Sequence, residues 1–325
     1  GALIQYNYDG IEKRWGMEMF DARYANAMTL AGKELTYGIT LSNSPTVTDI
    51  YNSTPAWGFP HTGTAASQMP AASLIDMTLA SKVGGITVYG MWDNLIYAEI
   101  GSYRTASKGV FRFGSWGQPW GSEELAGSVV DGNAPYWRFA VQQEMGDHNF
   151  SVGTFGLLAK VKQDANDSSL GSNRFRDIGF DARYQYIKGD HTASVSSTWI
   201  TEKQKWNDAV VGSSASNTSD TLKTFRTDVH YFFRRQWGGG LQYFKTTGTT
   251  DDLRYNTGDA LMGSSNGSPN TKGWAAELNY LPWQNTKLAL RYTSFQQING
   301  ASTDYVPGRN ASNNNNVFLM GWVLF

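Results

Sequence analysis

The sequence predicts an all-β fold: a transmembrane antiparallel β-barrel of about fourteen strands. Three observations carry that reading. Apolar and polar residues alternate with a period of two from one end of the chain to the other. The connections between the alternating stretches are short and long by turns, the pattern of outer-membrane barrels. The composition is rich in aromatics and glycine but poor in charge: of 325 residues, 12 are Trp, 17 Tyr, 16 Phe and 35 Gly, with 17% charged. Aromatics suit girdles where a barrel wall meets lipid headgroups, and glycines ease its curvature. Mean hydropathy is negative, and no apolar run approaches the roughly 18 residues of a membrane helix. A barrel tolerates this, because only alternate residues meet lipid.

Taken in order, strands are expected near 2–8, 15–29, 34–43, 84–92, 95–106, 134–145, 149–162, 175–188, 191–206, 222–234, 238–250, 271–283, 286–297 and 315–325. Leu35, Tyr37, Ile39 and Leu41 alternate with Thr36, Gly38, Thr40 and Ser42. Phe225, Val229, Tyr231 and Phe233 share one parity, and Arg226, Asp228, His230 and Arg234 the other. Short turns fall at 31–33, 93–94, 146–148, 189–190, 236–237 and 284–286. Long connections cover roughly 44–83, 107–133, 163–174, 207–221, 251–270 and 298–314. An even strand number puts both termini on the short-turn side. The whole of 1–325 is read as one barrel domain. The sequence starts at Gly1 with no signal-peptide pattern, so a mature or trimmed product is expected.

The segment 44–83 is too long for a simple turn. It holds Pro45, Pro55, Pro60 and Pro70, with Trp57, Phe59 and His61 among them. Residues 71–82 suit a short helix with Ser73 as N-cap and Asp76 three residues on; an extra hairpin at 73–92 is the alternative. Its apolar groups favour burial, which predicts insertion into the lumen as a constriction loop. The last strand ends on Phe325, with Val317, Leu319, Gly321 and Val323 on one face. It resembles the C-terminal assembly signal of bacterial outer-membrane proteins.

Charge is nearly balanced, at −1, so no nucleic-acid partner is expected. The absence of cysteine rules out a disulfide, a thiolate nucleophile or a thiolate metal site. The pentapeptide Phe-Asp-Ala-Arg-Tyr occurs at 20–24 and again at 180–184. On a strand its Asp and Arg share the face opposite the apolar residues. A charge facing lipid at the midplane costs roughly 2–4 kcal/mol, so Asp21, Arg23, Asp181 and Arg183 are assigned to the pore lining. Arg138, Glu144, Arg226, Asp228, Glu277 and Arg291 share that parity in their own strands. Such residues either set a transverse field or fill and stiffen the wall. The four histidines show no metal-ligand spacing, and no catalytic constellation, P-loop or dinucleotide fingerprint is present, so neither a metal site nor an enzyme is expected. In Phe232-Phe233-Arg234-Arg235-Gln236-Trp237, the arginines are read at the headgroups and Trp237 in the girdle.

Several motifs resemble a family of proteobacterial outer-membrane barrels often labelled cytochrome c: Asn43-Ser44-Pro45-Thr46-Val47, Thr54-Pro55-Ala56-Trp57-Gly58-Phe59-Pro60, Tyr136-Trp137-Arg138, Gly153-Thr154-Phe155-Gly156, Phe175-Arg176-Asp177-Ile178-Gly179 and Gly308-Arg309-Asn310-Ala311. The resemblance implies a porin-like barrel preceded by a Cys-x-x-Cys-His haem segment. It also implies further N-terminal strands, giving a full barrel nearer sixteen. This chain has no cysteine, so haem c is expected only on a segment before Gly1 or on a partner. Two functions follow as expectations: a porin-like channel in the outer membrane of a Gram-negative bacterium, in contact with lipid and passing small solutes or ions, or a sheath for a cytochrome in an electron-transfer module.

Overall fold

The computed structural model describes residues 1–9, 13–43, 71–79, 83–105, 128–164, 169, 171–259, 263–283 and 285–323. Its strands are β1 (Ala2–Asp9), β2 (Arg14–Leu30), β3 (Lys33–Ser42), β4 (Gly84–Trp92), β5 (Ile96–Arg104), β6 (Val129–Val130), β7 (Ala134–Met145) and β8 (His148–Lys162). They continue with β9 (Asn173–Lys188), β10 (His191–Lys205), β11 (Ser219–Phe233), β12 (Trp237–Gly248), β13 (Thr271–Trp283), β14 (Thr286–Gln297) and β15 (Asn316–Val323). Fourteen of them form one antiparallel sheet in chain order, β1 to β15, while the two-residue β6 pairs with β8 within the connection expected at 107–133. The all-β, barrel-type meander of fourteen strands is as the alternation predicts.

The two faces of this sheet are inverted relative to a soluble protein. On one face lie exposed apolar side chains such as Tyr24, Ile100, Val152, Phe180, Leu241, Leu278 and Leu319. On the other, Thr40, Thr87, Glu99, Arg138, Asp177, Glu202, Glu277 and Arg291 are buried. Adjacent residues of a strand alternate between them, as the pleat requires. The polar face also carries residues 71–79, and it is called inner here. The sheet wraps around that segment: Ile75 and Leu79 share a cluster with Tyr103 of β5, Tyr136 of β7, Phe155 and Leu157 of β8, and Ile200 of β10.

The short-turn end is built by left-handed residues. Gly146 (φ 61°) and Gly189 (φ 54°) open two-residue Gly-Asp turns, where glycine takes positive φ without a Cβ clash. The turn expected at 236–237 instead comes earlier. Arg234 and Arg235 adopt φ of 54° and 55°, and Phe233 already faces Trp237 across the hairpin. The register of the flanking strands, set by Val229 against Leu241, overrides the preference for glycine there. Trp237 sits exposed on the outer face and stacks on Tyr280 at 4.2 Å. His148 and His191, in the matching Gly-Asp-His turns, each hydrogen-bond through Nδ1 to a tyrosine hydroxyl on the next strand, Tyr184 at 2.8 Å and Tyr231 at 2.7 Å.

Among the described residues at the long-connection end, several are packed together. Ile298, Tyr305, Val306 and Ala311 form a core with Phe244 and Phe295. A four-residue helix α1 (Asp252–Tyr255) is N-capped by Asp251.

Candidate functional site: the charged inner face and its inserted segment

The described part of the long connection before β4 is pinned to four strands. Backbone N–H groups of Leu74 and Ile75 donate to the carboxylates of Glu202 (2.7 Å) and Asp177 (2.8 Å), on β10 and β9. The Arg226 guanidinium of β11 meets Asp76. The Thr246 hydroxyl of β12 donates to the Ala71 carbonyl at 3.2 Å. The short helix expected over 71–82 forms over Leu74–Thr78, as a single π-helical turn closed by the Leu79 N–H on the Leu74 carbonyl at 3.1 Å. The alternative hairpin does not form, since β4 begins only at Gly84. Asp76 does not act as a capping residue, because the first backbone donors are taken by carboxylates from the wall. Trp57, Phe59 and His61 lie outside the described residues.

Around this segment the inner charges form two arcs. On the first, Asp21 chelates Arg23, with Nε to Oδ1 at 2.7 Å and Nη2 to Oδ2 at 2.8 Å. Tyr97 donates its hydroxyl proton to Glu99 at 2.9 Å. Arg138 of β7 reaches past β8 to Asp181 of β9, with Nη1 to Oδ2 at 2.7 Å. The intervening residue is Gly153, where a Cβ would stand 2.7 Å from Asp181 Oδ1 and 3.2 Å from Arg138 Nη2. One strand on, in β9, a Cβ at Gly179 would fall 2.1 Å from the Phe155 ring. The motifs Tyr136-Trp137-Arg138 and Gly153-Thr154-Phe155-Gly156 are thereby explained as packing: two glycines clear the space that an arginine and a phenylalanine occupy. The twin Asp-x-Arg copies are used differently. Asp21 pairs within its own copy, whereas Asp181 turns to Arg138. Arg183 is half-buried on the same face, opposite Ser151 and Ser196.

On the second arc, His230 Nε2 lies 3.5 Å from Asp228. Glu277 receives Lys287 at 3.1 Å and Arg291 at 3.7 Å, and Arg291 also donates to Gln242. Glu144 does not join either arc. It has the right parity but lies exposed at the short-turn rim, accepting from Asn149 at 3.2 Å. Parity fixes the face of a side chain; depth depends on its distance from the strand end, and Glu144 is next to last in β7. Several groups were not assigned to the inner face from the sequence: Asp76, Glu99, Asp177, Glu202, Asp220 and Lys287. The five on strands obey the same alternation, so that rule applied to every charged residue would have found them.

Above the arcs, Asp220 accepts from Trp206 Nε1 at 2.7 Å and from Asn217 at 2.8 Å. The Arg254 guanidinium lies over the Trp206 ring at 4.2 Å. Burial disfavours ionisation of Asp251, but backbone N–H groups of Ser216, Asn217 and Arg254 outweigh it and hold its carboxyl below the usual aspartate range. No group of three or more metal-ligating side chains occurs among the described residues. Phe325 lies outside the described residues.

No family model and no curated protein matches the chain. Solved structures do. The copper transporter OprC aligns over 90% of this chain and 43% of its own, at 10% identity and a TM-score of 0.39. OmpT, an outer membrane protein of Vibrio cholerae, aligns over 90% and 83%, at 9% identity and 0.41. OmpF of Salmonella typhi, solved with daunomycin, aligns over 99% and 94%, at 10% identity and 0.43. The chain thus spans less than half the length of OprC. Likenesses this distant carry no argument about function, which rests on the chain's own geometry. The resemblance to cytochrome-labelled barrels gains no support from these matches.

Proposed function

We propose that this chain is the wall of a porin-like channel in a Gram-negative outer membrane, passing small solutes or ions without catalysis. On this reading the sheet, whose strand order runs from β1 to β15, closes into a single barrel. One observation carries the proposal: along a fourteen-strand sheet the described residues present exposed apolar side chains on one face and buried polar and charged ones, Glu99, Arg138, Glu202, Glu277 and Arg291 among them, on the other. Closure satisfies every backbone donor and acceptor inside a bilayer, which an open sheet edge cannot do. The outward faces then meet lipid tails, and Trp237, Tyr280, His148 and His191 meet the interface at the short-turn end.

Inside, the two arcs of paired charges create a transverse field across the path, while residues 71–79 narrow it. The wide turn is held by Asp177, Glu202, Arg226 and Thr246, so the constriction belongs to the resting structure. The cytochrome-sheath reading has no specific observation in its favour.

Planar-bilayer recording tests the proposal. The reconstituted chain should show discrete conductance steps, and replacing residues 48–80 by a short Gly-Ser linker should raise the step size. A shortened chain that folds and conducts no better than the parent would remove the constriction from the account. A parent chain that inserts without conducting would remove the channel.

A further inference from the structure

The outer face carries a second feature, at its long-connection end. Lys160 of β8, Arg174 of β9 and Lys205 of β10 stand directly opposite one another on three successive strands. Two residues nearer the sheet centre, Arg176 faces Lys203 in the same way. All five are exposed. Like charges directly opposite on a sheet destabilise it. Strands lie about 4.8 Å apart, so three cations crowd into about 10 Å.

None of the five makes an ion pair with an acid among the described residues. The contrast with the other rim is sharp. There Lys33, Lys188 and Arg234 each have a carboxylate: Asp93 at 2.9 Å, Asp147 at 3.1 Å and Asp190 at 3.1 Å. A groove of about 810 Å³ runs among the five cations, and the two acids on its edge are engaged elsewhere, Asp131 with Ser172 and Asp220 with Trp206. Toward the strand middles the same face turns apolar, with exposed Ile178 opposite Thr201 and then exposed Phe180 opposite Trp199.

We infer that this patch binds the phosphate groups of anionic lipid headgroups in the leaflet at the long-connection end. The inference rests on the membrane reading proposed above. Cations at the strand ends, with an exposed apolar wall beneath them, match the order of phosphate and acyl chain that an anionic lipid presents. A phosphate between Lys160, Arg174 and Lys205 supplies the missing countercharge to all three at once. The chemistry suits a lipid carrying exposed monoester phosphates rather than a zwitterionic one, because a choline or ethanolamine cation would restore the repulsion.

The test uses the full chain in dodecyl maltoside micelles, titrated with phosphatidic acid or phosphatidylcholine and read by native mass spectrometry. The parent should prefer phosphatidic acid by on the order of 100-fold. The variant K160Q/R174Q/K205Q should reduce that preference below about tenfold, whereas K33Q/K188Q/R234Q at the other rim should leave it unchanged. Inorganic phosphate at equal concentration should not displace the lipid. A parent without preference overturns the inference, as does a K160Q/R174Q/K205Q variant that keeps it. Displacement by inorganic phosphate would mean that the site takes free anions rather than lipid. Should K160Q/R174Q/K205Q fail to fold, the parent's preference and the phosphate competition still decide. Flotation of the parent with phosphatidylcholine vesicles scores the membrane reading separately: a chain that floats but shows no preference fails only here.

Discussion

The Arg138–Asp181 pair shows how much one residue's surroundings decide. The Arg138 side chain is 3% exposed and its partner 15%. Removing one partner of such a pair leaves an uncompensated buried charge, which typically costs about 3–5 kcal/mol. Arg23, paired with Asp21, is 30% exposed, and water can take the place of a lost partner, so the corresponding cost is about 1 kcal/mol or less. Asp181→Ala should therefore lower the unfolding midpoint in detergent far more than Asp21→Ala, although both remove the aspartate of the same pentapeptide. Equal effects would show that the two copies are equivalent. Gly153→Val should mimic Asp181→Ala, since its side chain would enter the space between the partners. The face of each of these residues was legible in the sequence from alternation alone. The partner was not: Arg138 and Asp181 are 43 positions apart, with a whole strand between them, and only the three-dimensional register shows that Gly153 lets them meet.

At the level of elements, the strands were legible because period-two patterning and turn chemistry agree, and their ends were off by only a few residues. The inserted helix was legible as a short helix, but its wide form and its anchors were not, because they are not local. The N–H groups of Leu74 and Ile75, which a helix would leave for Ser73 to cap, find carboxylates on Asp177 and Glu202 more than a hundred residues away. The double variant Asp177→Asn with Glu202→Gln should weaken both anchors and raise conductance toward that of the linker-replaced chain; an unchanged step size would leave the anchors without a role in constriction. The loops above respond to acid in a defined direction. The folded Asp251 carboxyl titrates below its unfolded value of about 3.9, so its stabilisation is complete above that value and is lost as the pH falls through the lower, folded one. Trp206, linked to Asp251 through Arg254, should keep its fluorescence from neutral pH down to about pH 4 and change only below. Asp251→Asn should abolish that acid step; a transition centred near pH 6 would point to another group.

For the whole molecule, the channel proposal assigns what passes to the inner charges and where the wall sits to the outer face. Arg23→Ala combined with Arg183→Ala removes two inner cations and should shift ion preference toward cations, read as a change of reversal potential under a salt gradient. Unchanged potentials would make these arginines wall-stiffening groups only. The central claim is that one face lines a conducting path and the other meets lipid. The chain has no cysteine, so any thiol introduced is the sole one. Ser196 lies on the inner face between Arg183 and Asp228, and Val229 on the outer face. The decisive measurement is single-channel current from Ser196→Cys and Val229→Cys before and after a charged, membrane-impermeant methanethiosulfonate. The account predicts a stepwise fall in current for Ser196→Cys and none for Val229→Cys; block at Val229→Cys with no effect at Ser196→Cys would contradict it.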